Sequence, residues 1–218
     1  KPGKVMSQPA DKSVQKSATN EWLETIIVVV EALLIAIVLR SFLYQPFSIP
    51  TASMQQTLMI GDYFVANKFV WGYGKHSFSL GRYGNFTALD FELPITNRIL
   101  GRDPNRGDIA VFRPVPQDVE YIKRVVGLPG DHIQMKQGRL DNTSVYVVPA
   151  GHYFMMGDNR DRSADSRVLS QVGYVPEINL IAKAESRFFS IKDNLPPWQI
   201  WQWPANVRWD RMFQSVYK

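Results

Sequence analysis

Cysteine is absent from this chain of 218 residues, and histidine occurs only three times. The lack of cysteine excludes disulfides, a thiolate nucleophile and cysteine-ligated metals. The histidines, His76, His132 and His152, are isolated, and none has a second ligand at metal-binding spacing. Because a zinc site needs about three protein ligands, we expect neither a metal nor another cofactor. A histidine-based catalytic triad also has few candidates.

Long basic runs are lacking too, although the formal net charge is +5 and the pI is about 9.4. A basic chain without a concentrated basic patch offers little for nucleic-acid binding. The charge suits an anionic membrane surface better, so nucleic acid is not an expected partner. With 45% hydrophobic residues, the chain is long enough for one compact core plus an anchor, but not for several domains.

A long apolar run covers residues 22–44. As a helix it would cross the hydrocarbon core of a bilayer, which is about 30 Å thick. Glu31 interrupts the run and would cost on the order of 2.5 kcal/mol or more at the bilayer centre. A soluble core helix or a cleaved signal peptide could also produce such a run, but it lacks a small-residue cleavage site and exceeds a signal-peptide core. We expect a transmembrane anchor over residues 21–44.

Residues 1–20, before the anchor, are polar and contain four lysines without apolar periodicity. This composition is typical of a flexible tail. Lysines beside a membrane span favour the cytoplasmic side, although Arg40 at the far end weakens the asymmetry. The tail is therefore expected in the cytoplasm and the remaining chain outside it.

After the anchor, short runs rich in β-branched and aromatic residues alternate with turn residues. The runs are FSIP, DYFVANKFV, DIAVFRPV, YIKRVVGLPGD, HIQMKQGRL and SVYVVPAGHYFMMGD. The absence of helical patterns between them argues against a doubly wound parallel sheet. We expect a mostly β protein, with an antiparallel β-sheet catalytic domain at 45–191 that includes a long excursion at 71–100.

Four of the six tryptophans lie in the C-terminal segment, residues 192–218. Tryptophan beside arginine suits the bilayer interface, where the indole meets both lipid and water. Packing of the indoles on the sheet would explain the composition equally well. Both alternatives stay open for this segment.

Three stretches stand out: SIPTASMQQTLMIGDY at 48–63, YIKRVVGLPGD at 121–131 and GDNRDRSADSR at 157–167. Together, in this order and spacing, they resemble the conserved boxes of bacterial type I signal peptidases. A Ser-Met pair alone means little, whereas GDNRDRSADSR is close to diagnostic. The resemblance extends from the anchor to about residue 191. It implies a membrane-bound serine endopeptidase that removes N-terminal signal peptides from translocated preproteins.

In that family a serine directly before a methionine is the nucleophile, and the lysine of a Lys-Arg pair is its general base. The resemblance assigns these roles to Ser53 and Lys123. A serine hydroxyl needs an adjacent base, and a lysine can serve if desolvation lowers its pKa from about 10.4. In a strand, Lys123 would share a face with Tyr121 and Val125, which lets it be buried while Arg124 reaches solvent.

The same resemblance implies further roles. The N–H of Ser53 and the hydroxyl of Thr51 would stabilise the oxyanion, and Ser163 would orient the amine of Lys123. Four charged residues would support the site as a network of paired charges: Asp158, Arg160, Asp165 and Arg167. Six residues match pocket positions that select small residues before the cut, although each could equally be core: Phe47, Ile49, Met54, Leu58, Tyr121 and Ile122.

The chain departs from the family pattern in four places. Thr51 replaces the usual serine, Gln56 stands where proline is common, and Arg162 replaces a frequent asparagine. Many relatives also carry a substantial extra β domain where this chain has only residues 132–156. Either the chain is a compact version or part of it is missing.

Two other interpretations compete with the peptidase. A self-cleaving repressor would use a related Ser-Lys dyad, but it needs a DNA-binding region and no anchor, the opposite of residues 1–44. A catalytically silent, membrane-anchored binding protein would have no reason to keep both Ser53 and Lys123. We therefore expect a monomeric, single-pass protein of the cytoplasmic membrane. Its catalytic domain would lie on the periplasmic side and cut preproteins at Ala-x-Ala sites through an acyl-enzyme.

Overall fold

A computed structural model of the chain describes residues 18–78, 82–83, 86–87, 92–115, 117, 119–135, 145–192, 195 and 199–217. The predicted tail at 1–20 lies almost wholly outside the described residues. The chain divides into two compact units, Lys1–Val38 and Leu39–Lys218.

Helix α1 (Ala18–Phe42) contains 25 residues, of which Trp22–Phe42 are long and apolar enough to cross a membrane. Its side chains at positions 22–39 are mostly apolar, apart from Glu24, Thr25 and Glu31, and are exposed. A helix that is apolar all round needs an apolar environment. None of the apolar window of this helix is buried inside the protein. The predicted N-terminal apolar helix is confirmed.

Twelve strands follow along the described chain. They are β1 (Tyr44–Ser48), β2 (Asp62–Asn67), β3 (Arg82–Tyr83), β4 (Phe86–Thr87), β5 (Ile109–Phe112), β6 (Tyr121–Gly127), β7 (His132–Gln134), β8 (Val145–Val147), β9 (His152–Met156), β10 (Val175–Pro176), β11 (Leu180–Ser190) and β12 (Gln214–Ser215). Every strand pair is antiparallel. The predicted fold class, mostly β with an antiparallel sheet, is confirmed.

One eight-stranded sheet forms the body, in the order β1-β2-β11-β5-β6-β9-β10, and β12 pairs with β11. Two small hairpins, β3-β4 and β7-β8, lie outside it. Strand β11, late in the sequence, therefore lies between two early strands. Its register shifts twice, between Ala184 and Ser186 and between Arg187 and Phe189. Such bulges bend a strand and increase its twist.

Apolar side chains cover both faces of the sheet at β5. Ile109 and Val111 pack in one core cluster, and Ala110 and Phe112 pack in another. This division follows from the alternation of side chains along a strand. Full burial of an isoleucine or phenylalanine side chain contributes about 1.5–3 kcal/mol. The core thus fixes β5 from both sides, and β6 pairs directly with β5.

Residues close to the two ends of the segment at 71–100 are hydrogen-bonded to each other. Tyr73 and Ile99 exchange two backbone hydrogen bonds, each 2.9 Å long. The guanidinium group of Arg98 also donates to four backbone carbonyls, those of Trp71, Gly72, Glu177 and Leu180. One side chain therefore holds both ends of this segment against the start of β11.

The C-terminal segment places its tryptophans in two environments. The ring of Trp203, in the short helix α2 (Trp203–Asn206), packs 5.3 Å from the ring of Phe189 on β11. Trp201 and Trp209 are 70% and 67% exposed, respectively. Trp198 lies outside the described residues. The segment therefore both packs on the sheet and presents indoles at the surface.

Candidate active site

Ser53 lies in a tight turn that follows β1, which we call the serine turn (residues 51–58). A single turn of 3₁₀ helix, Ala52–Met54, begins after Thr51, whose backbone is extended. The turn continues through hydrogen bonds from the N–H groups of Thr57 and Leu58 to the carbonyl of Met54, at 2.9 and 2.7 Å. Met54 and Leu58 are fully buried, so the core holds the turn in place.

Lys123 lies in β6 and reaches this turn from the sheet. Its Nζ atom donates a hydrogen bond of 2.6 Å to Ser53 Oγ. Both residues are buried, with 3% of Lys123 and 8% of Ser53 exposed. Burial lowers the pKa of Lys123 to about 8, although the negative charge of Asp165 acts in the opposite direction. The geometry brings a nucleophile and a base of reduced basicity into contact.

The two hydroxyl groups predicted to assist lie beside this pair, but in different states. Thr51 Oγ1 is 3.5 Å from Ser53 Oγ, at the limit of a hydrogen bond. The buried Ser163 hydroxyl interacts with the Asp165 carboxylate and helps to lower its pKa, and within the described residues no hydrogen bond joins it to Lys123. The roles predicted for both hydroxyl groups stay predictions.

Gly157 explains how Ser163 comes so close to the serine turn. A Cβ atom built on Gly157 would lie 2.2 Å from Ser163 Oγ and 2.6 Å from the carbonyl oxygen of Ser53. Real Cβ atoms essentially never approach other atoms closer than 3.0 Å. A residue without a side chain is therefore required at this position. Gly157 was not among the predicted site residues, although it begins GDNRDRSADSR.

The paired charges differ in detail from the predicted network. Asp165 is fully buried and accepts hydrogen bonds from Arg167 Nε at 2.8 Å and from the Gly157 N–H at 3.0 Å. Burial raises the pKa of Asp165, but these bonds outweigh it and the pKa is lowered. The Arg160 side chain is exposed, and its carbonyl accepts a bond from Arg167.

Asp158 pairs with Arg124, a residue that sequence reasoning expected in solvent. Arg124 donates to both carboxylate oxygens of Asp158, at 2.8 and 2.6 Å, and its side chain is only 24% exposed. Alternation along β6 places Arg124 on the other face of the strand from Lys123. Strand alternation could not show that a carboxylate, that of Asp158, lies on that face. A buried carboxylate that is paired costs less than an unpaired one, which explains the contact.

Asn159 also contacts the serine turn and was missed. Its Nδ2 atom donates to the carbonyl of Ala52, and its backbone N–H donates to the carbonyl of Ser53, both at 3.0 Å. The position within GDNRDRSADSR was the available signal. Arg162, whose role had no explanation, is exposed, and its backbone N–H bonds to the carbonyl of Asn159.

The six predicted pocket residues divide by exposure. Ile49, Met54 and Leu58 are at most 1% exposed and belong to the core. Phe47 and Ile122 pack against the same cluster and are partly exposed, and Tyr121 is partly exposed beside a second cluster. The Tyr121 ring lies 5.4 Å from Lys123 Nζ. Only these last three residues present surface that a substrate could touch without rearrangement of the core.

Within the described residues, no group of three or more His, Asp or Glu side chains could hold a metal ion. His76 is buried, and its Nδ1 atom lies 3.3 Å from Glu92 Oε1 and 3.4 Å from an Arg113 nitrogen. These contacts lie outside the set of residues around Ser53.

Comparison with known proteins shows the following similarities. A family model described as signal peptidase, peptidase S26, matches residues 21–145 and 140–189. Signal peptidase I of Rickettsia akari (strain Hartford) is 33% identical, over 94% of this chain and 96% of the relative. Signal peptidase I of Rickettsia massiliae (strain Mtu5) is 34% identical with the same coverage. A crystal structure of a signal peptidase I from Enterococcus faecalis V583 is 23% identical, covers 38% of this chain and 97% of that chain, and has a TM-score of 0.31.

The alignments with these relatives are longer than the chain. Because 94% of 218 residues is about 205, the 271-position alignment with the R. akari protein leaves about 66 positions without a counterpart here. The two matched parts of the family model meet at residues 140–145. That junction lies within residues 132–156, where a shorter segment than in many relatives was noted.

Proposed function

The chain belongs to the signal peptidase family, peptidase S26, and on that premise we propose that Ser53 and Lys123 form its catalytic dyad. It is a serine peptidase that removes signal peptides from preproteins. The observation that carries the proposal is the 2.6 Å contact between Lys123 Nζ and Ser53 Oγ in a buried site. That distance is within the reach required of a general base.

The proposed reaction has two steps. Neutral Lys123 takes the proton of the Ser53 hydroxyl as Oγ attacks the scissile carbonyl carbon. The Ser53 N–H and the Thr51 hydroxyl stabilise the negative oxygen of the tetrahedral intermediate. The C–N bond then breaks, the lysine ammonium protonates the leaving amine of the mature protein, and the signal peptide remains as an ester on Ser53. Water, deprotonated by Lys123, hydrolyses this ester and regenerates both residues.

The protonation state of Lys123 sets the conditions for this mechanism. A charged ammonium cannot accept a proton, so only the neutral fraction is active. With a pKa of about 8, roughly one molecule in ten carries a neutral Lys123 at pH 7. Asp165 limits how far the pKa falls, because its negative charge favours the ammonium form. Burial and this carboxylate therefore act against each other in setting the working pH.

We further propose that the substrate binds in an extended conformation beside β1 and is cut at Ala-x-Ala sites. Strand β1 is at an edge of the sheet and leads into the serine turn, so an extended substrate can add to the body by main-chain hydrogen bonds. Phe47 and Ile122, which pack against the same core cluster, would then face the substrate side chains, whereas Tyr121 packs against the second cluster with its ring 5.4 Å from Lys123 Nζ. Ile49, Met54 and Leu58 form a filled core behind Phe47 and Ile122. The preference for small side chains is part of the proposal.

A pH profile of preprotein cleavage tests the dyad. We expect the purified, detergent-solubilised protein to cut a preprotein with an Ala-x-Ala site, with kcat/KM rising about tenfold per pH unit below pH 8 and levelling above it. The control substrate carries phenylalanine in place of the alanine before the cut and should remain intact. A profile that is flat from pH 6 to 9 would contradict a lysine base, whose pKa is about 8.

We also propose a single-pass arrangement in the cytoplasmic membrane, with the body on the periplasmic side and the protein as a monomer. The apolar helix α1 and the lysines before it support this orientation. The exposed Trp201 and Trp209 suit contact of the C-terminal segment with the bilayer interface. The absence of a cofactor stays a prediction.

Protease protection tests the orientation. In inside-out membrane vesicles, added protease should shorten the chain only by its N-terminal tail, because the body is enclosed. Detergent should expose the body to digestion, which provides the control. The mass of the protected fragment also tells an intact anchor from a cleaved signal peptide. Digestion of the body in sealed inside-out vesicles would refute the proposed orientation.

A further inference from the structure

Thr57, at the far end of the serine turn, has its side chain bound by one pair of charged residues. Its hydroxyl donates to Asp158 Oδ2 at 2.5 Å and accepts a bond from Arg124 Nη2 at 3.2 Å. Arg124 and Asp158 are themselves joined by two hydrogen bonds. The Arg124 Nη1 atom is also fixed, by the carbonyl of Gly107. The hydroxyl of Thr57 therefore contacts a rigid, fully paired group rather than a mobile side chain.

The backbone of the same residue is held from another direction. Its carbonyl oxygen accepts bonds from Arg187 Nη1 at 2.8 Å and from Arg211 Nη2 at 3.2 Å. Arg211 also forms an ion pair with the fully buried Asp62, at 2.6 Å. Arg187 lies in β11 and Arg211 in the C-terminal segment, so two distant parts of the chain meet at one carbonyl.

These contacts bear on Ser53 through the turn itself. The N–H of Thr57 donates to the carbonyl of Met54, the residue that follows Ser53. At the other end of the turn, Asn159 holds the carbonyls of Ala52 and Ser53. Asp158 and Asn159 are neighbours in sequence, so one short loop forms hydrogen bonds to both ends of the serine turn. Among these contacts, charged side chains hold only the Thr57 end of the turn. A change at Thr57 would therefore alter that end.

We propose that Thr57 is a positioning residue for Ser53, which it holds in line with Lys123 by anchoring the serine turn to the Arg124–Asp158 and Arg187–Arg211 groups. The proposal rests on the proposed dyad and deepens it. Gln56 is exposed and brings no proline ring to stiffen this backbone. The hydrogen bonds of Thr57 supply that stiffness. Because misplacement of a reacting group by about 1 Å can cost 10²-fold in rate, small movements of the turn are sufficient for a measurable effect.

The experiment compares Thr57→Val, Thr57→Ser and the wild type in the preprotein cleavage assay. Valine keeps the shape of the side chain and removes the hydroxyl, whereas serine keeps the hydroxyl. We expect Thr57→Val to lower kcat roughly 10- to 100-fold with KM nearly unchanged. We expect Thr57→Ser to restore kcat to within about threefold of the wild type. The pH midpoint should be the same in all three proteins, since Lys123 is untouched.

Thr96→Val provides the matched control, because Thr96 is exposed and lies outside the serine turn. It should retain wild-type kcat. If Thr57→Val has wild-type kcat, or if its loss is explained wholly by a smaller folded fraction, the proposal is overturned. Should the valine protein not fold, Arg187→Gln decides. That variant removes a donor to the Thr57 carbonyl and is expected to lower kcat roughly 3- to 10-fold, and an unchanged kcat would overturn the proposal.

The activities of the variants differ according to whether the dyad assignment or the positioning role of Thr57 is wrong. If a Ser53→Ala protein still cleaves the preprotein, the dyad is wrong and the positioning role falls with it. If cleavage requires both Ser53 and Lys123 but neither Thr57→Val nor Arg187→Gln alters kcat, the dyad stands and the positioning role alone is refuted.

Discussion

Replacement of Lys123 by methionine is expected to lower kcat/KM for preprotein cleavage by roughly 10⁴-fold or more. Methionine is close to the lysine stem in length and apolar character, so the buried site remains filled while the amine is lost. Ser53 then keeps its position in the turn but has no group to take its proton. The measurement is the rate of appearance of mature protein, with the folded fraction of each variant determined in parallel.

Lys68 supplies the control that this experiment needs. It is fully buried, and burial lowers its pKa to about 8 as well, so a pH midpoint near 8 cannot by itself identify Lys123. Its Nζ atom donates to the carbonyls of Ser77, at 2.6 Å, and Ser41, at 3.5 Å, which lie outside the serine turn. Lys68→Met should therefore keep both the activity and the pH midpoint. Wild-type cleavage by Lys123→Met would end the dyad assignment.

The parts of the fold that local patterns determine were predictable from the sequence. The apolar helix follows from one long apolar run that only Glu31 interrupts, and the strands follow from β-branched residues between turn residues. The burial of Lys123 was also accessible, because alternation along β6 places it on the side of Val125, which is fully buried. Each of these features depends on residues that are close in sequence.

Features that depend on long-range pairing were not predictable in the same way. Nothing in the local pattern indicates that β11 lies between β2 and β5, or that its Arg187 reaches the serine turn. Asp158 was expected to pair within its own stretch, yet its partner Arg124 is 34 positions away. Whether a pocket candidate such as Ile49 is buried in the core or exposed to substrate likewise depends on which strands pack together. Fold topology, rather than composition, decides these contacts.

Replacement of Gly157 by alanine is expected to lower kcat/KM roughly 10²- to 10³-fold, the second large effect. The added Cβ atom would lie 2.2 Å from Ser163 Oγ, 2.5 Å from Ser163 Cβ and 2.6 Å from the Ser53 carbonyl oxygen. Since these atoms belong to the loop that carries Ser163 and to the backbone of the serine turn, the clash moves Ser53, Ser163 or both. The backbone angle of Gly157 is not in the left-handed region, so alanine itself fits the local conformation. Steady-state kinetics on the folded variant measure the effect.

Gly130→Ala is the control that distinguishes the steric clash at Gly157 from the loss of stability that any glycine-to-alanine change could cause. Gly130 has a φ of +86°, which disfavours alanine, but a Cβ atom there meets nothing within 4 Å. The Gly130 variant should therefore lose thermal stability and keep its kcat, because the strain acts on a turn in which the added Cβ atom meets no neighbour. The Gly157 variant should show the reverse, with a loss of kcat that exceeds any loss of folded protein. Equal activity of Gly157→Ala and wild type would mean that the loop carrying Ser163 can withdraw from Ser53 without effect on catalysis. In that case Ser163 could not be the group that orients Lys123.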